Sequence, residues 1–322
     1  MERILITPSV SGTVASNTRP GSRPYPGGPG HRTVARGRRT GAAWGKDARV
    51  VEESGDVSDA VPRISRGIEV YGGSDGAVSW SGVELTADSM RELGAGPWAE
   101  RVGDLAATRE FLAGLRSLAA TDMETEFIST LLEAEPEPLP WQVGEALAEV
   151  LLEHWHGALW VWDGARDRRT RKASLPGADL VGLCVADGSA RLLFGEVKSS
   201  SQVDCPPSVM VGAKGMIEQL KRLSGKDDHL TLMKWLNVRC RTPEHKAAYR
   251  GAVNRWVKSQ GKDIQLFGCL VRDTTPQEKD LGGRAAHLAK TVVEPMHALL
   301  TAWYLPVAMT TWPQHVGVRD LG

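Results

Sequence analysis

Three residues carry the most chemistry for their position in this sequence. Asp179 stands just before the apolar run LVGLCVA. Glu196 and Lys198 stand at the end of a second apolar run, ARLLFGEVK. Side chains alternate faces along a strand, so Glu196 and Lys198 point the same way, about 7 Å apart, and Val197 points oppositely. The polar gap Asp187–Ser189 reads as a tight hairpin turn. A ladder pairing Ala186 with Ala190 places Asp179 near Val197, so both carboxylates meet at one end of the hairpin. Two carboxylates at one spot repel unless a cation joins them. A hard divalent ion fits: Mg²⁺ takes oxygen ligands at about 2.0–2.1 Å, often one or two carboxylates plus waters and phosphate oxygens. Mn²⁺ is the alternative ion. The carbonyl of Val197 is a further candidate ligand, and Lys198 can orient the attacking water, help deprotonate it, or neutralise a phosphoryl group. The set suits metal-assisted phosphodiester hydrolysis.

The elements that must position these groups follow from periodicity. WQVGEALAEVLLEHW, Trp141 to Trp155, predicts a helix with Leu147, Val150 and Leu151 on one face and Glu145, Glu149 and Glu153 on another. Glu145 or Glu149 could reach the metal, and the Gly-Glu placement favours Glu145. ALWVWDG reads as a strand, followed by a basic turn and the hairpin. GAKGMIEQLKRLSG reads as a helix, and Gln219 and Lys221 on it could hold the nucleic-acid backbone or a metal-bound water. The stretch from Leu232 to Gly261 reads as helical with a break near Pro243, DIQLFGCLVRD as a buried strand, and Arg284 to Trp303 as a long helical tail.

The segment PGAD at a strand start, EVK ending the next strand, a glutamate-bearing helix before and a QLK helix after resemble the PD-(D/E)XK nuclease superfamily. The resemblance covers roughly Trp141 to Asp273. Pro176 and Asp179 are separated by Gly177 and Ala178, where the family pattern has adjacent Pro-Asp. The resemblance implies a restriction-endonuclease-like α/β fold, a mixed sheet flanked by helices. It implies Asp179, Glu196 and Lys198 as the catalytic triad, with Glu145 or Glu149 as accessory acid. It extends to phage-defence nucleases, among them the Hachiman nuclease subunit, and so implies antiviral defence as a role.

DNA is the expected partner; an RNase with the same metal site and a non-catalytic nucleic-acid- or partner-binding module on the same fold are the alternatives. Residues 200–262 hold twelve basic against five acidic residues, Lys214 and Lys221 among them. Arg166, Arg168, Arg169, Arg171 and Lys172 form a second basic edge. No phosphate-binding loop of the G-x-x-x-x-G-K-[ST] kind occurs, so strand separation would need a separately encoded helicase or ATPase.

The remainder bounds the class. The chain has 322 residues, 41% of them hydrophobic, and no formal net charge. Nine of its basic residues fall in residues 1–50, against two acidic ones. Residues 1–65, rich in Gly, Pro and Arg, are expected to be a disordered basic tail. Residues 66–135 are expected to be a small α+β accessory region, and 136–322 the nuclease domain with a helical C-terminal extension. Four scattered cysteines read as reduced thiols. Most tryptophans read as core. His154 and His156, at i,i+2 spacing, do not share a helix face and are not a metal pair. The short apolar N-terminal stretch does not fit a signal peptide, and HALLTAWYLPVAM is short of a membrane span. A cytoplasmic protein without membrane contact is expected.

Overall fold

The apolar runs pair into a single mixed sheet of seven strands, flanked by helices. The computed structural model describes residues 64–133, 137–168, 177–186 and 188–316. Arg169, most of the basic turn and the tail through residue 63 lie outside the described residues.

In chain order the elements are β1 (Ile68–Asp75), β2 (Val78–Glu84), α1 (Ala87–Gly94), α2 (Pro97–Gly103), α3 (Leu105–Arg116), α4 (Asp122–Glu133) and α5 (Pro140–His156). There follow β3 (Ala158–Leu159), β4 (Leu180–Ala186), β5 (Ser189–Ser200), α6 (Met216–Ser224), α7 (His229–Arg239), α8 (Pro243–Lys258), β6 (Ile264–Arg272), α9 (Gly282–Leu288) and β7 (His297–Tyr304). The strand order is β1-β2-β7-β6-β5-β4-β3. Strands β2, β7, β6 and β5 run parallel as neighbours, and β3-β4-β5 form an antiparallel meander.

Helix α5 begins where the sequence permits. Pro140 sits in its first turn, where a missing N–H costs nothing. The Leu139 N–H donates to Gln142 Oε1 at 2.8 Å. The helix stops at Gly157, whose φ of 67° is left-handed.

Period-two alternation sorts the core into two layers. Leu192 and Phe194 of β5 pack with Met216, Leu220 and Leu236 from α6 and α7. Leu193 and Val197 pack with Val143, Leu147 and Leu151 of α5 on the opposite face. Glu196 and Lys198 share the parity of Leu192 and Phe194, so they face the α6 side. The neighbouring strands β5 and β6 are close at Gly195, where a Cβ would sit 2.4 Å from the Phe267 carbonyl oxygen of β6. Gly195→Ala should therefore destabilise the fold by about 2–3 kcal/mol, readable in a denaturant midpoint, because backbone rather than a side-chain tip must move.

Four expectations change. First, Arg284 to Trp303 is not one helix. After the short α9, residues His297–Tyr304 form β7, buried between β6 and β2. A run of eight in which only His297 and Thr301 are polar suits a strand with both faces covered, and Pro295 interrupts any helix before it. The C-terminal extension is thus not purely helical. Second, β1 and β2 join the same sheet through β7. Third, ALWVWDG contributes only two strand residues. Trp160 turns its indole N–H to the Glu149 carbonyl at 2.9 Å. Fourth, the hairpin is one residue tighter than expected. Ala186 pairs with Ser189 and Leu180 with Gly195. A two-residue turn containing Gly188, at φ 70°, matches strand twist, so one pairing residue is gained.

No helix among the described residues is long and apolar enough to cross a membrane. All four cysteines are free thiols, three of them buried.

Candidate active site

The observed register carries Asp179 opposite Glu196. Strand β4 first pairs at Leu180, and Asp179 lies one residue beyond that end. The carboxylate closes the gap itself: Asp179 Oδ2 accepts the Val197 N–H at 3.0 Å. The N–H and C=O of one strand residue point to the same side, so the Val197 carbonyl also faces the edge where β4 has ended. This is the geometry a backbone metal ligand needs.

Glu196 is buried, its side chain 3% exposed, and it is ion-paired with Lys198. Its carboxyl lies within hydrogen-bonding reach of Asp179. Burial first, then repulsion from Asp179, pushes Glu196 up to about 7, and Lys198 only partly offsets this. Such an environment is costly for idle charge.

Glu145 approaches from α5, on the other side of the sheet. Burial and then the Asp179 charge push it up to about 8. Asp179, at the sheet end, therefore acts electrostatically on acids from both faces. Glu149 is pushed up to about 7 by burial, with Asp163 and Glu153 adding to it and Arg101 opposing. Asp179 is among the main influences on Glu145 and not among those on Glu149, which favours Glu145 as the accessory acid. Glu149 and Glu153 instead share Arg101, at 3.5 and 2.7 Å.

The residues present fit a hard divalent cation. Two carboxyl groups repel across a strand end beside a main-chain carbonyl, and the raised proton affinity of Glu196 marks charge a cation would neutralise. Among the described residues no three or more His, Cys, Asp or Glu side chains converge as a ready-made cage. An ion of this class needs only one or two carboxylates plus water. Cation binding must displace the proton held by Glu196. Affinity for Mn²⁺ should therefore rise about tenfold from pH 6 to pH 8, as calorimetry in buffers of different ionisation enthalpy would read.

The expected nucleic-acid contacts divide. Lys214 is exposed, and its carbonyl accepts the Gln219 side-chain amide at 2.8 Å. Lys221 is held by Glu218 at 2.8 Å and by His287 at 2.5 Å. Arg168 is not free: its guanidinium lies 2.5 Å from Glu145 Oε2 and 4.9 Å over the Trp141 ring. Of the wider basic stretch, Arg239 pairs with Asp167 and Arg255 with Asp263. Lys226, Lys234, Arg241, Lys246, Arg250, Lys258 and Lys262 remain exposed. Three arginines, Arg166, Arg239 and Arg241, surround the Trp162 ring within 5.0, 5.5 and 5.1 Å. That tryptophan is spoken for by arginine contacts. Trp98, Trp303 and Trp312 are fully buried, as core residues. His154 turns its ring to the Val150 carbonyl at 2.9 Å, and burial lowers His156 to about 4.

One partner of the site was not legible beforehand, Arg168 on Glu145; Asp179 was expected near Val197, and the hydrogen bond between them is what the structure adds. The Arg168–Glu145 pair joins residues 23 apart with no shared periodicity. Compared with known proteins, the chain matches no family model, and no curated protein resembles it significantly in sequence.

Proposed function

We propose that this protein is a metal-dependent nuclease that hydrolyses phosphodiester bonds of DNA. The observation that carries the reading is the junction of Asp179, Glu196 and Lys198 at the end of the β4–β5 hairpin, with Glu145 facing Asp179 from α5.

Asp179, Glu196 and the Val197 carbonyl would hold Mg²⁺ or Mn²⁺, with Glu145 in support. When bound, the ion supplies charge neutralisation at the phosphoryl oxygens and a water of lowered pKa. The chain's own groups do the rest. The Lys198 ammonium is engaged with Glu196, so it acts as a donor that orients water or meets negative charge on phosphorus. The Val197 N–H fixes the Asp179 carboxylate. The exposed lysines and arginines of α7 and α8 supply sequence-independent phosphate attraction, which weakens as salt rises. A place in antiviral defence, alongside a separately encoded helicase or ATPase, rests on the family resemblance alone.

A second reading has one observation in its favour. Glu196 and Glu145 each already hold a basic side chain, Lys198 and Arg168. A non-catalytic DNA-binding module could keep these pairs without any ion.

Lys198→Met separates the two. The nuclease reading expects a fall in kcat of about 10²–10³-fold with KM for DNA little changed, the pattern of a group acting in the transition state. Intact DNA after prolonged incubation of wild type with Mg²⁺ or Mn²⁺, together with unchanged DNA affinity in the variant, supports the module.

A further inference from the structure

Arg168 stands where the accessory acid would otherwise meet a cation. We infer that Arg168 substitutes for a second divalent cation, limiting the site to one ion held by Asp179 and Glu196. The inference rests on the nuclease reading, and it concerns how many ions the site takes.

The geometry is specific. The Arg168 guanidinium binds Glu145 Oε2 at 2.5 Å and stacks 4.9 Å over Trp141, in the first turn of α5. Stacking fixes a planar guanidinium far better than an exposed ion pair does. Both partners are largely shielded, at 17% and 22% side-chain exposure, so the pair is weakly screened. The Arg168 Nε is buried without a hydrogen-bond partner, while the terminal nitrogen holds Glu145.

Neighbouring acids sharpen the point. Along α5, Glu149 and Glu153 have Arg101. Across the sheet end, Glu196 has Lys198. Asp179 acts on both Glu145 and Glu196. The Asp179–Glu196 side presents the Val197 carbonyl edge. The Asp179–Glu145 side already holds a fixed positive charge. A second ion entering there must displace a stacked arginine. Removing the charge while keeping bulk against Trp141 should open that position.

The test counts ions on the full-length chain by Mn²⁺ electron paramagnetic resonance and calorimetry at pH 7.5. Wild type should bind one Mn²⁺. Arg168→Met should bind two, the second at least tenfold tighter than any second ion in wild type. The added ion should vanish in Arg168→Met combined with Glu145→Gln. Arg168→Lys, which keeps the charge, should return to one. Arg168→Gln serves as the neutral variant if Arg168→Met does not fold. A wild type that binds two Mn²⁺ equally well overturns the inference. So does a neutral variant with the same ion count and affinity as wild type, whatever that count is. The nuclease reading fails separately, if the wild-type ion persists in Asp179→Asn or if wild type binds none.

Discussion

Asp179→Asn should do two opposite things: abolish metal-dependent cleavage and raise the melting temperature of the metal-free protein. The amide keeps an acceptor for the Val197 N–H, which Asp179 now holds at 3.0 Å. It removes the negative charge that pushes up both Glu196 and Glu145. Both carboxyls have folded-state values near 7 and 8, above their ordinary 4.5. A raised carboxyl binds more protons folded than unfolded. Its contribution to stability is fully present below about pH 4.5 and is lost as pH climbs through 7 to 8. These groups therefore make the metal-free wild type less stable at pH 8 than at pH 6. Asp179→Asn should recover about 1–2 kcal/mol at pH 8, roughly 3–6 °C in Tm for a domain of this size. At pH 5.5 the gain should shrink, since Glu196 and Glu145 are then protonated in either protein. Saturating Mn²⁺ should raise the Tm of wild type and not of the variant. Loss of a metal carboxylate removes several kcal/mol of transition-state stabilisation, so cleavage should fall by about 10³-fold or more. A purely structural carboxylate would show the reverse stability change.

The largest stability effect should come from a neighbouring cluster, at the same end of the strands, where Arg272 pairs with Ser200 two residues beyond Lys198. Arg272 closes β6 and Asp280 follows it, and both side chains are 0% exposed. Arg272 Nη1 donates to both oxygens of Asp280, at 2.7 and 2.6 Å. Its Nη2 donates to the Gln202 carbonyl and, at 3.3 Å, to that of Asp204. The Tyr304 hydroxyl adds a bond to Asp280 Oδ2 at 2.7 Å and meets Tyr71 at 2.6 Å. The cluster thus ties the loop after β5 to the ends of β6 and β7 and to Tyr71 within β1. Asp280→Ala leaves a buried guanidinium without its counter-charge and should cost about 3–5 kcal/mol, around 10 °C in Tm. Replacing both members, as Arg272→Met with Asp280→Leu, should cost less than the two single substitutions summed. Additive losses in that double-mutant cycle would show that the two side chains do not act as a unit. The loop from Ser201 leads directly away from Lys198, so the cluster also anchors the chain next to the site.

Much of the site was legible because its elements have local signatures. Helix α5 has a proline start, a glycine stop and a clean apolar face. The β4–β5 hairpin has two apolar runs around an Asp-Gly turn. Helices α6 to α8 break where Gly225 and Pro243 fall. What stayed hidden depends on partners distant in sequence. HALLTAWY is apolar except for His297 and Thr301, whose i,i+4 spacing suits one face of either element, so its period does not separate a buried strand from a buried helix. The parallel pairing of β2 with β7 joins residues more than 200 apart and leaves no local trace. The basic turn read as a phosphate track, yet Arg168 spends its charge on Glu145. Arg239 likewise serves the half-buried Asp167, and Lys221 pairs along its own helix with the exposed Glu218. A run of basic residues reports charge, and only the fold reports which charges are already neutralised.

The central claim is that Asp179, Glu196 and Lys198 form a metal-dependent hydrolytic site. Its most direct test is cleavage of linear, circular and single-stranded DNA by wild type, Asp179→Asn and Lys198→Met, with Mn²⁺ or with EDTA. The account predicts cleavage by wild type in Mn²⁺, none in EDTA, and loss in both variants while each remains folded by circular dichroism. Cleavage by the variants at the wild-type rate would contradict it.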